Sequence, residues 1–103
     1  MARTKTKKLA PVHPGEILRV EFLEPMGLTS YAAAIAAGVP RTRIERLVRE
    51  ETPVTADTAI RLGKLFEMDA AFWMNLQAAF DLKEAELKTA NDYDALKPLS
   101  ANG

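Results

Sequence analysis

The sequence contains no cysteine and only one histidine among its 103 residues. The lack of cysteine excludes a disulfide framework and a thiolate metal site, and it fits a reducing cytoplasm. No apolar run approaches the roughly 18 residues of a membrane helix, so we expect no membrane partner. The basic start has no apolar stretch behind it, so we expect no signal peptide. Since a glycine-rich phosphate loop and a metal-ligand cluster are also missing, we expect neither an enzyme nor a cofactor.

The formal net charge is zero, but the charges are distributed unevenly along the chain. Residues 1–49 carry nine Lys and Arg against four acids, whereas residues 50–103 carry five against ten. A basic half and an acidic half in one small domain suggest two partners of opposite charge, with nucleic acid as the first candidate. Ordinary scatter of charge is the alternative when charge is considered alone.

The sequence predicts an all-α domain over residues 13–88, between two flexible ends. Residues 1–12 carry four bases and no acid, which predicts a disordered basic arm that either touches DNA or has no role. Residues 89–103 are expected to form a flexible tail. Between the ends, apolar residues recur at spacings of three and four, which indicates five helices and no strand. The helix starts are marked by Pro14, Thr29, Pro40, Thr55 and Asp69. The last helix is expected to end near Lys88.

Residues 29–49 have the pattern of two short helices bent around Gly38. Ala34 is small where the two helices would cross, and Gly38 can take the left-handed conformation that ends the first helix. Ile44 and Leu47 are spaced to pack back on that helix. This pattern is typical of a helix-turn-helix, whose second helix lies against DNA.

The second of these helices has one apolar and one polar face. On a wheel of about 100° per residue, an arc of about 140° contains a polar strip formed by Arg41, Thr42, Glu45, Arg46 and Arg49, whereas Arg43 points to the side. Because arginine can donate two hydrogen bonds to guanine and glutamate can accept from cytosine, this strip predicts base contacts. The predicted base-contacting residues are Arg41, Thr42, Glu45 and Arg46. The predicted phosphate-contacting residues are Ser30, Arg43 and Arg49. A solvated face of Glu–Arg pairs is the alternative, but the strip coincides with the helix-turn-helix framework.

Five segments carry a further pattern in a set order. They are HPGEIL at 13–18, FLEP at 22–25, GVPRTRI at 38–44, TADTAIRL at 55–62 and FWMNLQ at 72–77. Through these segments the chain resembles the HigA-type antitoxins, a branch of the phage-repressor-like helix-turn-helix superfamily. The resemblance extends from His13 to about Glu86. It implies a five-helix domain of the phage-repressor type.

The resemblance also implies function and partners. It implies an antitoxin that neutralises a RelE-like mRNA endonuclease toxin and, as a homodimer, represses its operon at a palindromic DNA operator. Phe72, Trp73, Leu76 and Phe80 are each assigned first to the helical core, with a dimer interface as the alternative. The candidates for that interface are Trp73, Leu76 and Phe80. The candidates for toxin contact are Val20, Asp81 and Glu84. Val20 is chosen because it is apolar on a side of the first helix that should be polar, and the acids because they could face a basic RNase.

The chain departs from the family pattern in two places. Ile35 stands in the first helix of the helix-turn-helix where a polar residue is usual, and the loop at Glu50 and Glu51 is acidic where the family tends to be basic. Two other functions are weighed against the antitoxin. One is a stand-alone phage-type repressor without a toxin, and the other is a protein-interaction module that has lost DNA binding.

Overall fold

The computed structural model describes residues 11–100 and contains five helices. The first, α1, is one continuous helix made of the segments Pro14–Ile17, Leu18–Leu23 and Glu24–Met26. The others are α2 (Ser30–Ala37), α3 (Arg41–Val48), α4 (Ala56–Phe66) and α5 (Ala70–Asp94). The part of the chain described contains no strand, so the predicted all-α fold of five helices is confirmed. The first ten residues of the predicted basic arm and residues 101–103 of the predicted tail lie outside the described residues.

The first helix begins on a histidine cap and widens in its middle. His13 is buried, and its Nδ1 accepts a hydrogen bond of 2.9 Å from the amide of Gly15. Between Leu18 and Leu23 the helix is π-helical, and the amide of Glu24 bonds to the carbonyl of Arg19, five residues back. Pro25 follows this wide turn, where its missing N–H leaves no donor unpaired.

All five helices contribute to the core, in which Trp73 is one of the large side chains that are fully buried. The indole of Trp73 has 0% of its surface exposed. Its ring centroid lies 5.2 Å from that of Phe22 and 5.1 Å from that of Phe72. Each fully buried large side chain contributes about 1.5–3 kcal/mol to stability. Since Trp73 has no exposed surface, its assignment to the core is confirmed, and the alternative that it contacts a second copy is wrong.

The last helix is longer than the sequence predicts. It was expected to end near Lys88, but helical structure continues to Asp94. Thr89 has non-helical angles (φ −128°, ψ 31°), and its hydroxyl donates 2.7 Å to the carbonyl of Ala85. The helix therefore kinks next to the predicted end and then resumes, because no proline interrupts the chain before Pro98. Part of the predicted flexible tail is thus helical. No helix in residues 11–100 has the length and apolarity needed to cross a membrane.

Candidate nucleic-acid interface

Local hydrogen bonds define the two helices of the predicted helix-turn-helix. Thr29 caps α2, because its Oγ1 accepts a hydrogen bond of 3.0 Å from the amide of Ala32. Gly38 ends α2 in the left-handed conformation at φ 72°, and the amide of Val39 donates 3.0 Å to the carbonyl of Ala34. Ala34 and Ile44 are both buried. The predicted start, turn and packing of this unit are therefore confirmed.

The C-terminal end of α3 is held by α1. The guanidinium of Arg19 donates to the carbonyl of Val48 and lies 3.4 Å from the carboxylate of Glu50. A cation at a helix C-terminus is stabilised by the partial negative charge of the last carbonyls. Glu51 pairs in turn with Arg49 at 3.2 Å. The acidic loop that departs from the family pattern is therefore compensated by two arginines.

The exposed face of α3 carries the predicted strip. Arg41, Thr42, Arg46 and Arg49 are exposed and Glu45 is partly exposed, whereas Ile44 and Leu47 are buried. Hence the polar side chains share one surface, as the helical wheel predicts.

Arg41 is held in place from two sides. Its guanidinium lies 5.3 Å from the centroid of the Tyr31 ring, within the range of a cation–π contact. Its Nε lies 3.2 Å from Oε2 of Glu45. Tyr31 was not predicted, because this contact joins two helices and leaves no periodic pattern in the sequence. Ser30 precedes Tyr31, so the first turn of α2 borders the start of α3.

Arg46 differs from its neighbours, because it makes no ion pair with any residue between 11 and 100. It borders a groove of about 390 Å³ between α3 and the start of α4. Thr42 and Arg43 line the same groove, together with Thr52 and Thr55 on the opposite side. The groove combines two guanidinium groups with hydroxyls, which are the donors that bind phosphate oxygens.

Arg43 is already paired. Its Nη1 lies 2.5 Å from Oδ2 of Asp57, which also accepts a hydrogen bond of 3.0 Å from Nε of Arg61. The hydrogen bond from Arg43, and next that from Arg61, holds the pKa of Asp57 below its ordinary value of 3.8. The Asp57–Arg61 spacing of four is visible in the sequence, but the pairing of Arg43 with Asp57 is not.

A second surface is acidic. Asp81 and Glu84 on α5 line a cavity of about 390 Å³ together with Glu50 and Glu51 from the loop after α3. The structure thus brings two predicted toxin-contact residues together with the unexpected acidic loop. The third, Val20, is 41% exposed on α1 and does not line this cavity.

The floor of the acidic cavity is formed by groups from three parts of the chain. The imidazole of His13 meets the ring of Phe80 edge to face at a centroid distance of 4.7 Å. Gln77 is buried; its Oε1 accepts 2.7 Å from the amide of Val54 and its Nε2 donates 2.9 Å to Asp81. Gln77 was not predicted to have a role of its own, since only the fold brings Val54 near it. Within residues 11–100 no group of three His, Asp or Glu could hold a metal ion.

The helix pair and the buried face of α3 define a helix-turn-helix protein. No protein-family model matches the chain. The chain is 46% identical over 95 residues to virulence-associated protein I of Dichelobacter nodosus, covering 92% of this chain and 87% of that protein. It is 42% identical over 95 residues to antitoxin HigA-1 of Vibrio cholerae, covering 92% and 89%. A structure of Pseudomonas aeruginosa antitoxin HigA with the higBA promoter superposes with a TM-score of 0.84 at 41% identity, covering 87% of this chain and 99% of that one. The chain therefore belongs to the HigA-type antitoxin family.

Proposed function

We propose that this chain is an antitoxin that represses its own operon by placing α3 in the major groove of a palindromic operator. The observation that carries the proposal is the exposed arginine strip on a helix whose opposite face is buried. The strip has a net positive charge, and one of its cations, Arg46, has no acidic partner in residues 11–100. The HigA relative whose structure contains promoter DNA supports this proposal.

The side chains of the strip suggest a division of roles. Arg46 has donors without an acidic partner for the edge of a guanine, and Arg41 is held by Tyr31 and Glu45. Thr42 and Glu45 are the further proposed base contacts. Ser30 at the start of α2, Arg43 beside the strip and Arg49 just after α3 are the proposed phosphate contacts.

Binding measurements on single variants test these roles. Arg46→Ala is expected to cost about 1–3 kcal/mol of binding free energy and to relax specificity at one base pair per half-site. Arg43→Ala is expected to weaken binding to the operator and to its single-base variants alike, and to reduce the salt slope by about one per half-site. Lys83→Ala is the matched control, because it removes one positive charge from α5, away from α3. Equal, sequence-independent losses for Arg46→Ala and Arg43→Ala would contradict the division of roles.

A homodimer would let two copies of α3 reach successive major grooves, about 34–36 Å apart. Leu76 and Phe80 are half-buried, and Leu87 lies on the same face of α5 at 59% exposure. We propose that this stripe contacts the second copy. Light scattering is expected to show a dimer that Leu87→Asp weakens. Leu82→Asp is the control, since Leu82 is similarly exposed, at 65%, but lies on another face of α5. Equal dissociation by both variants would argue against the stripe.

The second partner is proposed to be a RelE-like mRNA endonuclease toxin, which this chain would neutralise in the cytoplasm without catalysing any reaction itself. The acidic cavity around Asp81 and Glu84 offers carboxylates to a basic RNase surface. Val20 is the other proposed contact. Co-purification with the product of the neighbouring gene tests the partner and separates an antitoxin from a stand-alone repressor. Reversing the charge at Asp81 and Glu84 should abolish that complex, whereas truncation after Lys88 should leave it intact.

A further inference from the structure

One acidic side chain on α4 connects both helices of the helix-turn-helix. Oδ2 of Asp57 accepts from Nη1 of Arg43 on α3 at 2.5 Å and from Nε of Arg61 at 3.0 Å. Nη1 of Arg61 donates onward to the carbonyl of Ala37 at 2.9 Å and to that of Gly38 at 3.4 Å. A continuous chain of hydrogen bonds therefore runs from the end of α2, through α4, to an arginine on the DNA-facing side.

Two residues of this series of hydrogen bonds, Arg61 and Asp57, are held more firmly than the partners of an ordinary surface ion pair. Arg61 donates to carbonyls at the end of α2, which lack partners within their own helix. Asp57 lies in the first turn of α4, where the helix dipole favours a negative charge, and is four residues from Arg61. The third member, Arg43, is the one that also lines the groove beside Arg46. Its Nη1 is engaged with Asp57, and its guanidinium retains other donors for a ligand.

We infer that Asp57 and Arg61 are positioning residues that hold Arg43 ready for a backbone phosphate of the operator, without touching DNA themselves. The inference rests on the proposed operator binding. A guanidinium held in advance loses less conformational entropy when it binds than a freely rotating one. The carboxylate of Asp57 also neutralises part of the charge of Arg43. This weakens the attraction of Arg43 to DNA on which no phosphate is correctly placed to bind it.

The test compares binding to operator DNA with binding to unrelated DNA of the same length. Asp57→Asn is expected to reduce the ratio of operator affinity to unrelated-DNA affinity by about three- to tenfold. Operator binding weakens because the neutral amide oxygen of asparagine holds Arg43 less firmly than the carboxylate does. Unrelated DNA binds as well as before or better because a negative charge is gone. Asp69→Asn is the matched control: it removes an exposed acid at the start of α5 and should leave the ratio unchanged.

A double-mutant cycle shows whether Asp57 acts through Arg43. In an Arg43→Ala background, Asp57→Asn is expected to leave the ratio unchanged. Asp57→Glu, which retains the charge, is expected to restore much of the ratio in the wild-type background. If Asp57→Asn raises both affinities equally, the carboxylate only repels DNA and the inference is wrong. If it lowers both equally together with the melting temperature, the role is structural and the inference is again wrong.

Different results would refute the proposed operator binding and the positioning role of Asp57. If the wild-type chain shows no salt-dependent binding to a palindrome upstream of its gene, operator binding itself is refuted. If the wild-type chain binds the operator and Asp57→Asn leaves the ratio unchanged, operator binding stands and the positioning role is refuted.

Discussion

The carbonyl oxygen of Leu47 lies so close to Gly15 that a Cβ added to Gly15 would be only 1.8 Å from it. The first turn of α1 therefore rests directly on the backbone of α3. Arg19, one turn further along α1, donates to the carbonyl of Val48. These contacts from α1 fix the position of α3 on its buried side. The exposed face of α3 is therefore presented in one orientation.

Gly15→Ala is expected to destabilise the protein by about 1–3 kcal/mol or more, because backbone at that distance cannot move aside like a flexible side chain. DNA affinity should fall with it, since α3 is displaced. Urea unfolding measures the loss. Gly27→Ala is the control: it has φ 66° but nothing within 4 Å of the added Cβ, so it should cost about 1–2 kcal/mol of backbone strain and leave α3 in place. Equal effects of both variants on DNA binding would contradict the role of the Gly15–Leu47 contact.

Gln77→Leu is expected to cost about 1–3 kcal/mol, because the buried amide of Val54 loses its only side-chain acceptor among the residues described here. Chemical denaturation of the variant gives this value. Asp81→Asn is the control, since an asparagine oxygen can still accept from Gln77 and the bond to Val54 is untouched. That control should remain within about 0.5 kcal/mol of the wild type. A Gln77→Leu variant as stable as the control would show that the bond to Val54 has no energetic importance.

Acid should remove the contribution of Asp57 to stability. Its folded pKa is lowered by Arg43 and Arg61 from an ordinary value of 3.8, so the stabilisation is present above that pH. It is lost as the pH falls below 3.8 through the folded pKa. The difference in unfolding free energy between the wild type and Asp57→Asn should be constant near neutral pH and shrink in acid. A difference that persists unchanged to the lowest accessible pH would contradict the ion pairs. The effect is small because Asp57 is exposed to solvent.

Trp73 is the only tryptophan of the chain, and its Nε1 has no hydrogen-bond partner in residues 11–100. Trp73→Ala is expected to cost about 3–5 kcal/mol through the cavity it leaves. Trp73→Phe should cost clearly less, because it keeps a ring between Phe22 and Phe72 and removes an unpaired donor. Thermal unfolding of both variants compares them. A phenylalanine variant as unstable as the alanine variant would indicate that the indole N–H has a partner in the folded protein.

Features encoded by neighbouring residues were predictable. Thr29 and Thr55 accept hydrogen bonds from amides three residues later, and Gly38 ends the helix that precedes it. The burial of Ile44 and Leu47 follows from the helical period alone. The continuation of α5 to Asp94 was missed, because weak helix formers near residue 89 suggested an end where the chain only kinks.

Taken alone, the sequence determined five helices, the turn at Gly38 and the arginine strip, because caps, glycine stops and apolar periods act over three or four residues. Only the tertiary structure decided which arginines bond to groups distant in the sequence. Arg43 meets Asp57 across 14 residues of chain, and Arg19 meets Val48 across 29. It also placed Trp73 in the core rather than at an interface. Such choices depend on how the helices pack, and a pattern along one helix does not record which neighbour lies against it.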